Sequence, residues 1–300
     1  MHRRSFHRQV LGAMATFTPW LAQAQQESLH TSVSTAIRPT QWTDIEARSQ
    51  GRLGVAVLET ATGRMDGHRL DERFAMCSTF KWLAAAHVLH RVDQGQERLD
   101  RRIRYGREVL KPHSPVTEVH AGHKGMTLAE LCHATITVSD NAAGNLILDT
   151  FGGPAGLTAY ARQLGDGVTR LDRWETELNE ATPGDPRDTT SPRAMAELLR
   201  LTMVGNALSP ASRAQLLEWM EATRTNLKRL RAGLPEGWRL GSKTGTGAQG
   251  TTNDVGVYWP PGRAPVVVAV YLTESKADFA VREAALASVA RVVTTRFRTP

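Results

Sequence analysis

The chain has 300 residues, of which 41% are hydrophobic and 22% are charged. This composition suits one large globular domain or two closely packed ones, and it excludes general disorder. The net charge of +7 is not gathered into a lysine- and arginine-rich block with interleaved aromatic residues, so we expect no nucleic-acid partner.

Residues 1–24 have the pattern of a signal peptide. A basic start that includes Arg3 and Arg4 precedes a mostly apolar stretch from 10 to 21, and Ala-Gln-Ala at 22–24 supplies a small-x-small cleavage site. The arginine pair resembles a twin-arginine address, which predicts export to the periplasm after folding. No later stretch is apolar enough to span a membrane, so we expect no membrane association after cleavage. A disordered, arginine-rich expression scar is the alternative.

A β-hairpin and a series of helices are predicted next. Residues 53–60 are typical of a buried strand, and a turn at 61–63 leads to a second strand near 64–68. Six helical segments follow, separated by Asp, Ser, Pro and Gly. Their predicted ranges are 78–92, 127–135, 141–150, 154–164, 191–203 and 210–222.

Strands return in the last third of the chain. We predict them at 237–244, 254–259 and 264–271, followed by an amphipathic helix from about 276 to 294. This order predicts an α/β (α+β) fold, in which one antiparallel sheet flanked by helices is assembled from both chain ends around an inserted all-helical subdomain.

We place the domain boundaries where the predicted element type changes. Residues 25–70 and 222–300 form the predicted α/β subdomain, and residues 71–221 form the helical one. The helical part includes residues 170–190 of a long loop without clean periodicity. Compact domains rarely keep such a loop without a functional use, so we expect it to be catalytic.

Ser78 and Lys81 form a Ser-x-x-Lys sequence at the predicted start of the first of these helices. Residues three apart share a helix face, which places the Lys81 ammonium beside the Ser78 hydroxyl. A serine needs such a neighbour to act as a nucleophile, and the free N–H groups of a first helical turn favour developing negative charge. Alone, the pattern is more often a capping serine followed by a solvated lysine.

Three further clusters contain residue types that can act in catalysis or substrate binding, although each also has an ordinary structural explanation. Ser139-Asp140-Asn141 lies between two predicted helices, where all three residue types are good N-caps. Lys243-Thr244-Gly245 lies on a predicted strand, where a lysine protects a sheet edge and glycines such as Gly245 and Gly247 permit close approach to the backbone. The sequence Glu-Thr-Glu-Leu-Asn at 175–179 lies in the long loop, where a solvated acidic segment is usual.

Ser-x-x-Lys, Ser-Asp-Asn and Lys-Thr-Gly in this order, together with the Glu175 loop, resemble the class A serine β-lactamases. The resemblance covers about residues 39 to 296. It implies a β-lactamase/transpeptidase-like fold and hydrolysis of the β-lactam ring of penicillins and, we expect, some cephalosporins, which confers antibiotic resistance. It also implies a monomer that acts on small-molecule β-lactams with no cofactor and no metal.

The resemblance implies a role for each motif residue. Ser78 attacks the lactam carbonyl, with Lys81 or Glu175 as the acylation base, and Ser139 relays a proton to the leaving nitrogen. Glu175 and Asn179 hold the deacylating water. The residues implied in substrate binding are Asn141, Asn179, Lys243, Thr244, Gly245, Thr246 and Arg229, and the N–H groups of Ser78 and Thr246 form the oxyanion hole.

Arg229 is assigned because the chain departs from a common family pattern. Many relatives carry the carboxylate-binding arginine where this sequence has Thr252, whereas others carry it at the position of Arg229, with Arg231 a near neighbour here. The resemblance also implies an ion pair between Arg173 and Asp188 across the loop neck, and a cis peptide bond after Glu175.

In some relatives the equivalents of Cys77 and Cys132 form disulfide bonds with other cysteines. Here Gly247 occupies the partner position of Cys77, and Ala85 occupies that of Cys132. We therefore expect two free thiols, and carbapenem hydrolysis is not inferred. His113 replaces an aromatic residue that commonly flanks the cleft.

The histidine pairs His87/His90 and His120/His123 have spacings that resemble those of metal ligands. They lack matching cysteine or carboxylate partners, so we expect surface residues and no metal site.

A peptidoglycan carboxypeptidase, a transpeptidase or a penicillin-sensor domain is the alternative function. These proteins share the three serine and lysine motifs but as a rule lack the hydrolytic carboxylate, so they remain acylated. Glu175 in its loop therefore favours turnover.

Overall fold

The computed structural model describes residues 39–298, so the predicted signal peptide lies outside the described residues. Its elements, in chain order, are α1 (Pro39–Ser49), β1 (Arg52–Glu59), β2 (Arg64–His68), β3 (Phe74–Ala75), α2 (Phe80–Asp93), β4 (Arg102–Ile103), α3 (Thr117–His120), β5 (Met126–Thr127), α4 (Leu128–Thr137), α5 (Asn141–Asp149), α6 (Gly153–Gln163), β6 (Thr189–Thr190), α7 (Pro192–Leu199), α8 (Pro210–Glu221), β7 (Arg239–Thr246), β8 (Thr252–Trp259), β9 (Val266–Thr273) and α9 (Phe279–Phe297). Short 3-10 turns occupy Cys77–Thr79, Arg107–Val109 and Glu177–Asn179, and a π-helical turn occupies Arg200–Val204.

Five strands form one antiparallel sheet in the order β2-β1-β9-β8-β7. Every residue of the central strand β9 is buried, because both faces of the sheet are covered. Its side chains alternate between two cores, as the period of two in a strand requires. Val268, Val270 and Leu272 join the core that contains α1 and α9, whereas Val267 and Ala269 join the core of α2 and α7.

Helix α2 runs through the interior of the second core. Seven consecutive residues from Phe80 to Ala86 are almost fully buried, so the helix is apolar around most of its circumference. Such a helix has little freedom to shift, because protein interiors are close-packed. The Cys77–Thr79 turn at its start is thereby held in a fixed place.

The predicted fold is confirmed: an antiparallel sheet is assembled from both chain ends and flanked by helices. The segment 71–221, however, is not all-helical. It contains the two-residue ladders β3–β6 and β4–β5, which are too short to produce a sequence periodicity. In addition, α7 from this segment packs directly on β9 and β1 of the main sheet.

The helix predicted over 191–203 ends earlier as an α-helix, at Leu199, and continues as the π turn Arg200–Val204. None of the helices within residues 39–298 combines the length and apolar character that crossing a bilayer requires.

Asp140 joins two parts of the helical region. It is the N-cap of α5, where Oδ1 accepts a hydrogen bond from the Ala143 N–H at 2.9 Å. Oδ2 accepts from the N–H groups of Val116 and Thr117, both at 2.9 Å, and Oδ1 also accepts from the Thr117 hydroxyl at 2.8 Å. This fully buried carboxylate therefore fixes the loop before α3 onto the start of α5.

Replacing Asp140 by alanine leaves three backbone N–H groups without their acceptor, two of them buried and that of Val116 half-buried. Each unsatisfied group costs about 1–3 kcal/mol, so Asp140→Ala should lower the free energy of unfolding by about 3 kcal/mol or more in urea denaturation. Thr127→Ala, which removes the more exposed N-cap of α4, is the matched control and should cost about 1 kcal/mol. Equal losses in the two variants would contradict this reading of Asp140.

Candidate active site

Ser78 lies in the 3-10 turn that leads into α2, and strand β7 runs beside it. The close approach requires glycine at 245, because a Cβ there would lie 2.7 Å from the main-chain oxygen of Met76. Cys77, just before the serine, has φ of 45°, a left-handed conformation that non-glycine residues rarely adopt. The hydroxyl of Ser78 is thus presented at the end of a buried helix and next to a sheet edge.

Glu175 is fully buried, and its carboxylate joins the nucleophile to a lysine. Its Oε1 accepts a hydrogen bond from Ser78 Oγ at 3.2 Å and lies 2.9 Å from Lys81 Nζ. Its Oε2 accepts from the side-chain amide of Asn179. Both oxygens of one carboxylate are therefore engaged with residues that the sequence placed in the same site.

Asn145 holds the backbone of Glu175 and was missed by the sequence reasoning. Its Oδ1 accepts from the Glu175 N–H at 2.9 Å, and its Nδ2 donates to the Glu175 main-chain oxygen at 3.0 Å. The available signal was its spacing, since Asn145 follows Asn141 by four residues and so shares its face of α5.

The neck of the loop that carries Glu175 is closed by a short ion pair. Arg173 Nε lies 2.6 Å from Asp188 Oδ2, which confirms the predicted pair. Asp188 Oδ1 also accepts from the N–H groups of Asp172 and Arg173. The Glu175–Thr176 peptide bond is cis, as expected.

Two lysines converge on Ser139. Lys243 Nζ donates to Ser139 Oγ at 3.0 Å and to the Thr244 main-chain oxygen at 2.8 Å. Lys81 Nζ donates to the Ser139 main-chain oxygen at 2.9 Å and to Asn141 Oδ1 at 2.6 Å. Burial, together with the neighbouring Lys81 ammonium, holds the pKa of Lys243 well below its ordinary value.

Arg229, rather than Arg231, reaches the end of β7. Its Nη1 donates to the main-chain oxygens of Gly245 at 3.0 Å and Asn253 at 2.9 Å, and its Nη2 donates to Thr246 Oγ1 at 2.9 Å. Arg231 instead bonds the main-chain oxygens of Glu221 and Leu240, away from the cleft.

These residues surround an open cleft of about 460 Å³. Its lining includes the predicted residues Ser78, Ser139, Asn141, Asn179, Arg229, Thr244 and Thr246, and in addition His113, Thr225, Phe279 and Glu283. Thr225, also missed in the sequence, exchanges a hydrogen bond with Thr244 through their hydroxyls. Lys81, Glu175 and Lys243 lie fully buried, in direct contact with lining residues.

The two cysteines are free, as predicted, and both are buried. Gly247 lies directly against one of them: a Cβ at this glycine would lie 2.6 Å from Cys77 Sγ. The same Cβ would lie 2.7 Å from the main-chain oxygen of Asn179, so a side chain at position 247 would require a local backbone shift.

The comparisons with known proteins agree with this geometry. The model of the β-lactamase enzyme family matches residues 39–297. The β-lactamase AST-1 of Nocardia asteroides is 49% identical over 263 residues, which cover 87% of this chain and 84% of that protein. This chain belongs to the β-lactamase enzyme family.

Similar solved structures place the chain in class A of the β-lactamases. The ancestral class A β-lactamase GNCA has 65% sequence identity and a TM-score of 0.85 over 86% of this chain and 99% of its own. The putative class A β-lactamase PenP from Rhodopseudomonas palustris has 60% identity and a TM-score of 0.84 over 85% of this chain and 98% of its own.

Two histidines of this class A β-lactamase lie elsewhere than expected. His87 and His90 are half-buried rather than on the surface, and both pack on Tyr160, with ring centroids 4.3 and 5.3 Å away. Burial lowers the pKa of His87 to about 4, so its ring is neutral at physiological pH. The pair at this spacing serves aromatic packing.

Asp254 lies fully buried in β8, where Oδ2 accepts from the Leu230 N–H at 3.0 Å. Burial raises the pKa of Asp254 from 3.8 to about 6, even though the Arg229 guanidinium and the Leu230 N–H favour the charged form. The folded protein therefore binds this proton more tightly than the unfolded chain does. The contribution of Asp254 to stability must fall as the pH rises from about 4 to 6.

Asp254→Asn removes this titration. The free energy of unfolding of the variant, minus that of the wild type, should increase by about 2–3 kcal/mol between pH 4 and pH 7, since one pKa unit corresponds to about 1.4 kcal/mol. Urea denaturation of both proteins at the two pH values measures the difference. A difference that is independent of pH would refute the raised pKa.

Proposed function

We propose that this class A β-lactamase opens the β-lactam ring of penicillins and cephalosporins through a Ser78 acyl-enzyme, which a Glu175-activated water hydrolyses. One observation carries the proposal: the buried Glu175 carboxylate contacts Ser78 and Lys81 through one oxygen and Asn179 through the other. A single base is thereby in reach of both the nucleophile and the site of a hydrolytic water.

In acylation, Ser78 Oγ attacks the lactam carbonyl and loses its proton. Glu175, which already accepts this hydrogen bond, and Lys81, which lies against the same oxygen, both remain candidates for the base. The oxyanion forms next to the N–H groups of Ser78 and Thr246. Ser139 then delivers a proton to the leaving nitrogen, helped by Lys243, whose Nζ already donates to the Ser139 hydroxyl.

Substrate binding rests on the far wall of the cleft. The substrate carboxylate is received by Thr244 and Thr246, with the side chains of Lys243 and Arg229 behind them and Gly245 allowing close approach to the strand. Asn141 Nδ2 donates to the Pro112 main-chain oxygen at 2.7 Å and keeps a second N–H for the substrate's side-chain amide.

In deacylation, Glu175 and Asn179 hold the attacking water. Asn179 Oδ1 is buried and has no hydrogen-bond donor among the residues that the structure describes. Such an acceptor is costly unless a donor reaches it, and a water between Asn179, Glu175 and the acyl carbon supplies one.

The test compares hydrolysis of a chromogenic cephalosporin by wild type and Glu175→Gln. Wild type should turn over steadily, whereas the variant should release about one equivalent and then slow by about 10²–10⁴-fold, because the general base for deacylation is lost. Mass spectrometry should find the adduct on Ser78. Glu177→Gln, an exposed carboxylate of the same loop, is the matched control and should stay within about twofold of wild type.

The same experiment separates the alternative function. A stoichiometric burst without turnover in wild type, or faster cleavage of a D-alanyl-D-alanine peptide than of the cephalosporin, would favour a carboxypeptidase or sensor. Steady wild-type turnover that survives in Glu175→Gln would instead remove Glu175 from the proposed mechanism.

We further propose that the enzyme acts as a periplasmic monomer, exported by the twin-arginine route. The cleft is lined by residues of both proposed subdomains, and Ser78, Lys81 and Glu175 contact one another within a single chain, so the proposed chemistry requires no residue from a second copy. The export route rests on Arg3 and Arg4 alone.

Changing both arginines to lysine should abolish periplasmic activity in a bacterial host and leave cytoplasmic enzyme, since the paired arginines are the address. Changing Arg8 to lysine, outside the pair, is the control. Unchanged periplasmic activity in the double variant, measured after cell fractionation, would exclude the twin-arginine route without affecting the proposed chemistry.

A further inference from the structure

A second cleft, of about 450 Å³, lies on another part of the enzyme. It is bordered by the end of α6, the residues 164–168 that follow it, and α7 with its π turn, and it shares no lining residue with the active site. Its apolar walls come from Leu164, Val168, Ala194, Leu198 and Leu201. An apolar cleft of this size with a few polar groups is typical of a small-molecule site.

The charged side chains that line this cleft form ion pairs, with the exception of Asp166. Arg193 Nε lies 2.7 Å from Asp71 Oδ1, and Arg200 Nε lies 2.7 Å from Glu197 Oε2. Asp166 has no ion-pair partner among residues 39–298. Asp166 is therefore the one carboxylate in the lining of this cleft that has no ion-pair partner among the described residues.

Only one of the two carboxylate oxygens of Asp166 accepts a hydrogen bond from the described residues. Oδ1 accepts from the N–H groups of Val168 at 2.7 Å and Thr169 at 3.1 Å, whereas Oδ2 is buried and has no donor within the described part of the chain. Arg162 lies nearby, but its guanidinium donates to the main-chain oxygens of Asp166 and Thr169 and not to the carboxylate. A buried carboxylate oxygen without a donor is costly, so a bound N–H donor would be favourable.

Neither chain neighbour of Asp166 carries a side chain that could cover its carboxylate. Asp166 is flanked by Gly165 and Gly167, and a Cβ built on either glycine would meet no atom within 4 Å. Asp166 is 9% exposed as a residue and its Oδ2 is closed to solvent, so a bound donor reaches this oxygen only when the carboxylate turns toward the cleft.

We propose that this cleft binds an organic monocation, a primary ammonium with an aryl or alkyl body, whose ammonium bonds Asp166 and whose body packs on Leu164, Leu198 and Leu201. The ammonium supplies the missing donor together with a positive charge, and the body covers the apolar wall. An anion meets the unpaired carboxylate, and a neutral compound leaves it without a charged partner.

The site also connects to the loop that carries Glu175. Asp166 fixes Val168 and Thr169, and the Thr169 hydroxyl lies 2.7 Å from that of Thr190 at the other end of the loop. Beside it, the Arg170 N–H donates to the Thr189 main-chain oxygen at 2.9 Å. A ligand on Asp166 should therefore increase the hydrogen-exchange protection of Val168 and Thr169.

The test uses 2-phenylethylammonium and its neutral counterpart 2-phenylethanol on the whole enzyme, with binding followed by NMR shifts of the amides of 164–169 and of α7. The ammonium should bind about tenfold or more tightly than the alcohol, because a charge-assisted hydrogen bond is added. Asp166→Asn should reduce the ammonium's affinity to that of the alcohol. Asp71→Asn, an acid of the same cleft that already has its arginine, is the matched control and should change the affinity less than about twofold.

Equal affinity of the two compounds for wild type, an unchanged affinity in Asp166→Asn, or shifts confined to residues around Ser78 would each overturn the proposal. If Asp166→Asn does not fold, the comparison of the two compounds on wild type, together with exchange protection at Val168 and Thr169, still decides it. None of these outcomes depends on turnover of a β-lactam.

Discussion

The structure of the site depends on one buried carboxylate that is shared by three partners. Glu175 is removed from water, which is expensive for an isolated charge and is tolerated only when counter-charge and hydrogen bonds replace the lost hydration. Lys81 supplies the charge, and Ser78 and Asn179 supply the hydrogen bonds. The same contacts that make the buried charge stable therefore bring the proposed base to the proposed nucleophile.

The backbone of Glu175 must also be held in place. The loop that carries it has little regular structure and could otherwise move the carboxylate away from Ser78 and Lys81. Asn145 bonds both the N–H and the carbonyl of Glu175, and the Arg173–Asp188 pair closes the neck of the loop. Exposed ion pairs contribute little, but Asp188 is 1% exposed and accepts two backbone N–H groups besides the arginine. These few buried contacts, rather than long helices or strands, hold the loop in place.

Much of this arrangement was predictable from the sequence, for physical reasons that differ between elements. The long apolar strands, the apolar helix after Ser78 and the helix cap at Asp140 are local signals, and motif recognition placed Glu175, Lys243 and Arg229 in one site. The two-residue ladders β3–β6 and β4–β5 were not predictable, since their pairing is tertiary and too short for periodicity. Asn145 and Thr225 were missed because their partners are a backbone and a hydroxyl brought close only by folding.

Three non-glycine residues of the site and its loop have a left-handed backbone, which the surrounding fold must stabilise. Cys77, Ser139 and Asp188 have φ of 45°, 61° and 57°, and each such conformation costs on the order of 1–2 kcal/mol. Glycine would relieve the strain but would remove the Ser139 hydroxyl that Lys243 bonds, or the Asp188 carboxylate that closes the loop. The strain is sustained by the well-packed helix α2 and the sheet on either side. A stable core outside the cleft is therefore a condition for the unusual backbone within it.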